Sequence, residues 1–329
     1  MFLAHHGLRP RAVCRCSVRW PCSLRRRPFT LPSWDEEGVG QRMNVRAGAM
    51  ISLTQSAIDY AGKHALHALV VAQDGRIVSE TYGEDYDASK PHALYSGTKS
   101  FWGCTAVTAE REGILRLDER VAETFPQWEA DEWKRRVTLR HLLQLTSGIG
   151  FGGLGSAVPT YAKALAVDLK NEPGTKFTYG GIPLQVFGAV LARKLEPRGQ
   201  TPHEYLQQRI LNPIDMRIGK WRTLSDGTCP LPTGAFVSAL EWLKYGQFVC
   251  EHHQDFKECF SGSAVSPHYG LAWWLGAPRA PLDLVYASGA AGQAMYIVPS
   301  QRVVIVHFGN SSSYKHDAFL KRFFAAATR

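Results

Sequence analysis

The sequence lacks a run of about 18 apolar residues, although 45% of its 329 residues are hydrophobic. A transmembrane helix needs such a run, so a membrane span is excluded. The apolar residues are spread along the chain instead, in an amount that suffices for one large core or two closely packed subdomains. A core of this size needs no disulfide staples.

Cysteine is sparse, and three of the seven Cys lie in the first 50 residues. The four that remain are typical of a reduced protein without a disulfide framework. Cys250, His252, His253 and Cys259 are metal-ligand types, but no second ligand pair with finger-like spacing accompanies them. We therefore predict a polar surface loop there, and neither a metal nor a cofactor.

Acidic residues are absent before Asp35, and residues 1–50 carry nine Arg against three acids. The rest of the chain holds 29 bases and 26 acids, so the basic balance belongs to the N-terminal segment. A near-neutral body argues against nucleic-acid binding. No apolar stretch of signal-peptide length follows the arginines, which favours a cytoplasmic location, with organelle targeting by the Arg-rich segment as the alternative.

Residues 1–50 also lack the apolar periodicity of a helix. Three interpretations stay open: a targeting peptide, a nucleic-acid-binding arm, or untranslated sequence preceding a true start at Met43 or Met50. In each case we expect this segment to be disordered and dispensable. The folded domain is predicted to span residues 51–329.

Strand patterns occur at both ends of this domain. Two of them flank a turn at Gly75 and predict a hairpin, and three more lie near the C-terminus. The five strands fit one antiparallel sheet. Their predicted bounds are 67–72, 76–81, 282–286, 293–298 and 302–308.

Helical patterns fill the middle and the C-terminal end of the domain. Thr138 caps a short helix, Pro197 closes a longer one, and Ser238 with Glu241 forms a capping box for a third. A fourth helix has an apolar face suited to lying across the sheet. The predicted helices are 138–145, 182–195, 240–249 and 315–327.

Strands from both chain ends with helices between them predict an α/β (α+β) fold. An antiparallel sheet flanked by helices would comprise residues 60–115 and 236–329, and a helical subdomain of residues 116–235 would be inserted. Sites in such an arrangement lie in the cleft between the two parts.

Ser96 and Lys99 form an S-x-x-K motif, which is short enough to occur by chance, and Ser312 with Lys315 forms another. Their contexts differ, since a helical apolar pattern follows Ser96 whereas Ser312 lies in a serine-rich loop. We therefore predict Ser96 in the first turn of a buried helix. Three residues later is the next turn on the same face, which brings the Lys99 ammonium within reach of the Ser96 hydroxyl.

Burial of Lys99 would give this pair its chemistry. A lysine accepts a proton only when it is neutral, and desolvation lowers its pKa. The helix N-terminus favours negative charge on Ser96, and a backbone N–H of the first turn points toward an oxyanion. The motif thus predicts Ser96 as a nucleophile with Lys99 as its base.

Two other hydrolase classes lack their motifs in this chain. No Ser stands at the centre of a G-x-S-x-G, as an alpha/beta-hydrolase requires. No H-E-x-x-H is present to hold a catalytic zinc.

Over residues 60–310 the sequence resembles the serine beta-lactamase and penicillin-binding-protein superfamily, closest to its class C and carboxylesterase branch. Beyond Ser96 and Lys99, four segments carry the likeness in matching order and spacing. Residues 139–148 resemble the segment before the helical subdomain, and residues 177–179 resemble the approach to the Y-x-N tyrosine. Residues 269–274 resemble the strand before the third motif, and residues 287–293 resemble the third motif itself. The resemblance implies the beta-lactamase/transpeptidase-like fold.

The resemblance also implies site residues. Tyr179 would be a second base that passes a proton to the leaving group. Ser288 and Gly289 would edge the cleft, and the Ala290 N–H would be the second oxyanion donor. Gly181 belongs to the same expected substrate-binding set.

This chain departs from the family pattern at three points. Gly180 and Gly181 replace the small residue and the Asn after the tyrosine, so the side chain that grips a substrate amide is missing. Ala287 stands where a Lys or His would hold a carboxylate, and Leu145 stands where the family often has His. A site without that cation and that amide suits neutral esters or small amides better than beta-lactams.

The expected activity is therefore that of a serine hydrolase that forms an acyl-enzyme on Ser96 with a small-molecule ester or amide. Two alternatives stay open: a non-catalytic relative used for binding or assembly, and a true beta-lactamase or D-alanyl peptidase. The sequence fixes neither the substrate nor the oligomeric state.

Overall fold

The computed structural model describes residues 54–278 and 280–324. The predicted disordered segment, residues 1–50, lies outside the described residues. Within the described ranges no helix is both long and apolar enough to cross a bilayer.

In residues 54–278 and 280–324, nine strands form two antiparallel sheets. The larger has six strands in the order β2-β1-β9-β8-β7-β6, and the smaller has three in the order β3-β5-β4. This architecture confirms the predicted fold class, an antiparallel sheet built from both chain ends. The strands are β1 (Leu66–Gln73), β2 (Arg76–Tyr82), β3 (His92–Ala93), β4 (Lys220–Trp221), β5 (Ala235–Val237), β6 (Trp274–Leu275), β7 (Val285–Gly289), β8 (Gln293–Val298) and β9 (Val303–Gly309).

Helices occupy both faces of the large sheet and the middle of the chain. The short helices α3, α4, α5 and α7 lie in the stretch predicted as a helical insert, and that domain division stays a prediction. The helices are α1 (Gln55–Gly62), α2 (Ser100–Arg111), α3 (Val121–Thr124), α4 (Leu139–Leu143), α5 (Tyr161–Leu165), α6 (Ile182–Leu195), α7 (Pro202–Leu206), α8 (Ala239–Glu251) and α9 (His316–Phe324).

Strand alternation divides the core into two layers. On β1, Ala68 and Val70 face the large cluster that contains α2 and α8, whereas Leu69 and Val71 face the cluster formed with α1 and α9. Successive side chains of a strand point to opposite faces, so a sheet covered on both sides is apolar at nearly every position. This explains the unbroken apolar runs of β1, β8 and β9.

The strand predicted at 282–286 is the least accurate, because β7 begins three residues later at Val285. Leu282 is fully exposed, and Ser300 binds the Asp283 carboxylate in a turn. The ladder with β8 pairs Tyr286 with Tyr296 and extends to Gly289. Small residues that the prediction left outside the strand therefore form its second half.

Helix caps follow the predicted signals in part. The predicted helix 182–195 coincides with α6, and the Thr138 side chain accepts the His141 N–H at the start of α4. Ser238 caps α8 through the Glu241 N–H, but the reciprocal bond of a capping box is not made. The Glu241 carboxylate instead accepts the Arg217 N–H at 2.6 Å.

Helix α2 packs closely against the 269–273 segment at Gly103. A Cβ at Gly103 would overlap the carbonyl oxygen of Leu271 and crowd the Trp273 ring. Backbone cannot yield as a flexible side chain can, so this position requires glycine. The close approach sets the depth at which α2 lies in the core.

We expect Gly103→Ala to lower the free energy of unfolding by about 1–3 kcal/mol, the usual cost of overpacking. Gly62→Ala is the matched control, since a Cβ there meets nothing within 4 Å, and alanine is the better helix former by up to about 1 kcal/mol. Urea unfolding midpoints at constant m-value measure both changes. Equal midpoints for the two variants would contradict the packing argument.

Candidate active site

Ser96 and Lys99 lie in one 3-10 turn, Tyr95–Lys99, that leads directly into α2. The predicted first turn of a buried helix is therefore of the 3-10 type. A 3-10 turn has three residues per turn, so side chains three apart eclipse. The Lys99 Nζ donates to Ser96 Oγ at 2.8 Å. Tyr95 opens the turn with φ +47° and lies partly exposed beside the nucleophile.

Lys99 is 2% exposed, and burial lowers its pKa to about 7. Its other hydrogen bond goes to the carbonyl of Pro232 at 3.2 Å. In the described part of the chain no carboxylate pairs with it, so nothing restores the charged form. A large fraction of Lys99 is then neutral at physiological pH and can accept a proton from Ser96.

Tyr179 stands beside this pair. Its ring centroid lies 5.1 Å from Lys99 Nζ, and the ring stacks on Trp274 with centroids 5.6 Å apart. Burial raises the pKa of Tyr179, and contact with the Ser96 side chain offsets part of this increase. The phenol therefore stays protonated near neutral pH and can donate a proton, and its role as a second base that passes a proton to the leaving group stays a prediction.

Strand β7 approaches the turn that carries Ser96 at Gly289. A Cβ there would overlap the carbonyl oxygen of Leu94, just before the Tyr95–Lys99 turn. This approach brings Ala290, the next residue, to the edge of the turn. Among the described residues no backbone carbonyl accepts the N–H of Ser96 or of Ala290, so both donors are available for an oxyanion.

The two glycines after Tyr179 pack against a glycine-rich loop. The Gly181 N–H donates to the Gly152 carbonyl at 2.9 Å, and the Gly181 carbonyl accepts the Gln185 N–H at 3.3 Å. A Cβ at Gly181 would overlap the Gly153 carbonyl. Both backbone polar groups of Gly181 are thus hydrogen-bonded within the protein. A role for Gly181 in substrate binding stays a prediction, and it would depend on the space that the absent side chain leaves.

The other two departures from the family pattern have structural correlates. Ala287 is 2% exposed and packs in the larger core cluster, which leaves no room for a cationic side chain. Leu145 is buried with φ +58°, and its carbonyl accepts the Thr178 N–H at 2.9 Å. Leu145 therefore anchors the backbone next to Tyr179 rather than contributing a polar group.

The candidate metal ligands are separated by their own contacts. Cys250 and Cys259 are buried, which corrects the expected polar surface loop at those two positions. His252 contacts Asp255 at 3.1 Å, and His253 contacts the Cys250 carbonyl at 3.0 Å. No group of three or more ligand-type side chains suited to a metal occurs in the described ranges.

Two contributors were missed from the sequence. Pro232 offers its carbonyl to Lys99 from 133 residues away, and His316 Nε2 lies 2.9 Å from Ser288 Oγ. A backbone acceptor carries no signal in a side-chain pattern. His316 stands at the start of α9, where only the amphipathic spacing of a helix was legible.

Comparison with known families identifies the family of this chain. A family model described as beta-lactamase matches residues 60–226, just over half of the 329-residue chain. Acyltransferase mokF of Monascus pilosus is a relative with 28% identity. The alignment covers 38% of this chain and 37% of that relative, so little more than a third of its length is represented.

Three solved structures share the fold. They are EstCE1, described as a hydrolase with promiscuous acyltransferase activity (TM-score 0.66, 15% identity, 84% of this chain and 99% of that one), a D-stereospecific amidohydrolase from Streptomyces sp. (0.65, 14%, 83% and 98%) and a class C beta-lactamase from Rhodobacter sphaeroides (0.63, 17%, 84% and 99%). At these identities the likeness concerns the fold, and it confirms the beta-lactamase-like architecture.

The pKa of Lys99 predicts how reactivity of Ser96 depends on pH. Neutral Lys99 activates Ser96, so the rate of labelling by a fluorophosphonate should be maximal above a pKa near 7 and fall about tenfold per pH unit well below it. An ordinary lysine would move this limb above pH ~10. We would measure labelling rates between pH 5 and 10, with Lys99→Met as the control that should lose the limb. A wild-type rate still rising at pH 10 would contradict the assignment of Lys99.

Proposed function

Because this chain belongs to the beta-lactamase family, we propose that it is a serine hydrolase that cleaves neutral esters or small linear amides through an acyl-enzyme on Ser96. The observation that carries the proposal is the 2.8 Å contact between Ser96 Oγ and Lys99 Nζ, with the pKa of Lys99 lowered to about 7. A lysine with its ordinary pKa could not serve as this base at neutral pH.

Acylation follows from the positions of these groups. Neutral Lys99 takes the Ser96 proton as Oγ attacks the substrate carbonyl carbon, and the N–H groups of Ser96 and Ala290 stabilise the oxyanion. The tetrahedral intermediate then expels the alcohol or amine, which takes a proton from Tyr179. Tyr179 regains a proton from the Lys99 ammonium, so the acyl-enzyme forms with both groups neutral.

Deacylation reverses the roles. Water attacks the acyl carbonyl while neutral Lys99, directly or through Tyr179, accepts its proton. Collapse of the second tetrahedral intermediate releases the acid and returns the proton to Ser96 Oγ. The acyl-enzyme would also allow acyl transfer if an alcohol attacked it in place of water. The names of the mokF relative and of EstCE1 favour this as a second activity.

Neutral substrates follow from the missing partners. Ala287 and Gly181 supply neither a cation nor an amide. Arg222 and Lys220 are the cations that could replace the missing one, but both make other contacts. Arg222 donates to the Gly155 carbonyl at 2.8 Å, and the Lys220 ammonium lies over the Phe236 ring. A carboxylate bound in this site would be desolvated without a partner.

The nucleophile is tested by covalent labelling. We expect a fluorophosphonate to label the wild type, Ser96→Ala to lose labelling, and Lys99→Ala to slow it on the order of 10³-fold or more. With a p-nitrophenyl ester as substrate, each variant should lose nearly all turnover, and the double variant should be little worse because the two residues act as one unit. An unlabelled wild type would support the non-catalytic alternative, and losses that multiply would contradict the Ser96–Lys99 pairing.

Substrate preference is tested on one preparation with p-nitrophenyl butyrate and nitrocefin. Each unpaired neutral group costs about 1–3 kcal/mol, and a buried charge costs more. We therefore expect kcat/KM for the ester to exceed that for nitrocefin by at least about tenfold per missing contact. Equal or higher values for nitrocefin would overturn the ester proposal in favour of a true beta-lactamase.

A further inference from the structure

A chain of four polar side chains links the interior behind β7 to the cleft. Tyr314 and Tyr296 hydroxyls are 3.1 Å apart, Tyr296 OH is 2.7 Å from His316 Nδ1, and His316 Nε2 is 2.9 Å from Ser288 Oγ. The family match ends at residue 226, so none of the four lies within it.

The end of this chain meets the proposed active site. The ladder between β6 and β7 ends at Tyr286, so within the described residues no strand pairs with residues 287–289 of β7 on that side. Gly289 on this edge touches the Leu94 backbone beside the Ser96 turn, and Trp274 of β6 stacks on Tyr179. Ser288 lies between these two contacts and is partly exposed, so its hydroxyl can meet a bound molecule.

The hydrogens along the chain can be counted. Burial raises the pKa of Tyr296 and of Tyr314 above 10.0, and burial lowers the pKa of His316 to about 4. Near neutral pH each phenol therefore has one hydrogen to donate, and the imidazole has one N–H. Ser288 also carries a single hydroxyl hydrogen.

Only one direction pairs every buried donor. If Tyr314 donates to Tyr296 and Tyr296 donates to His316 Nδ1, then the Nε2–H donates to Ser288 Oγ. In the reverse direction the Tyr314 hydroxyl hydrogen has no acceptor among the described residues. Tyr314 is buried, with 7% of its surface exposed. An unpaired buried donor is disfavoured in proteins.

We propose that Tyr314, Tyr296 and His316 hold Ser288 as a hydrogen-bond donor toward the substrate. In this direction Ser288 accepts from His316, and its own hydrogen is left to the cleft. Its partner there is an uncharged acceptor, either the carbonyl oxygen of an ester or amide or the alkoxy oxygen of an ester. His316 is a positioning residue, and this assignment of substrate contact rests on the proposed function.

The tautomer of His316 tests the direction without any substrate. In protein labelled with ¹⁵N-histidine, long-range ¹H–¹⁵N spectra near pH 7 distinguish a protonated Nε2 from a protonated Nδ1, and the His316→Gln spectrum assigns the signals. We expect Nε2–H with an unprotonated Nδ1. A protonated Nδ1 would overturn the proposal, and this result stands whether or not Ser96 proves to be a nucleophile.

The substrate contact is tested by kinetics with p-nitrophenyl butyrate. Ser288→Ala should raise KM about tenfold with kcat changed little, as expected for one neutral hydrogen bond made in ground and transition states alike. His316→Phe should give a similar rise that does not add to that of Ser288→Ala, and His316→Gln, which keeps a donor, should recover part of it. Ser79→Ala is the control that should leave KM unchanged, because Ser79 lies on β2 at the other edge of the sheet. An unchanged KM in Ser288→Ala, with Ser96→Ala inactive, would overturn the contact but not the hydrolase.

Discussion

The site depends on keeping one lysine ammonium out of water. Among the described residues the Lys99 ammonium has two hydrogen-bond partners, Ser96 Oγ and the Pro232 carbonyl, and neither carries a charge. A carboxylate in the same place would stabilise the cation and raise the pKa again. The Pro232 segment is fixed in turn by its neighbour Leu231, whose carbonyl accepts the Trp102 indole N–H at 2.6 Å. The turn Tyr95–Lys99 thus supplies the base, and Trp102 of the buried helix α2 supports the segment of its Pro232 partner.

Close backbone contacts shape the rest of the cleft. At Gly289 the strand touches the carbonyl before the nucleophile turn, and at Gly181 the segment after Tyr179 touches the 150–153 loop. A side chain at either position would separate elements that must meet. At these two positions glycine allows the backbones to approach closely, at the loss of a side chain that could bind substrate. The absence of Asn after Tyr179 is therefore consistent with the close contact between Gly181 and the Gly153 carbonyl.

The sequence predicted most of the sheet and the contact between Ser96 and Lys99, because strand alternation and residue spacing are local signals. It misplaced β7, since Leu282 and Leu284 read as strand residues although a turn at Asp283 holds them. It put Ser96 in the first turn of the helix without giving the 3-10 type of that turn, because the apolar pattern of α2 does not reveal a 3-10 turn ahead of it. The Pro232 and His316 contacts join residues distant in sequence, and such pairs are set by tertiary packing alone. The catalytic roles of Ser96 and Lys99 remain predictions, as do the roles of Tyr179, Ser288, Gly289, Ala290 and Gly181.

Neutrality unites the groups around Ser96. Burial keeps the pKa of Lys99 near 7, the Tyr179 phenol protonated and the His316 imidazole uncharged, and Ala287 leaves no cation on β7. In a region of low dielectric a charge without a partner is costly, whereas dipoles that are already oriented cost nothing to rearrange. Such a site recognises its substrate by hydrogen bonds from fixed donors rather than by ion pairing. Under the proposed function, the same burial that lowers the pKa of Lys99 would also restrict the substrates to uncharged molecules.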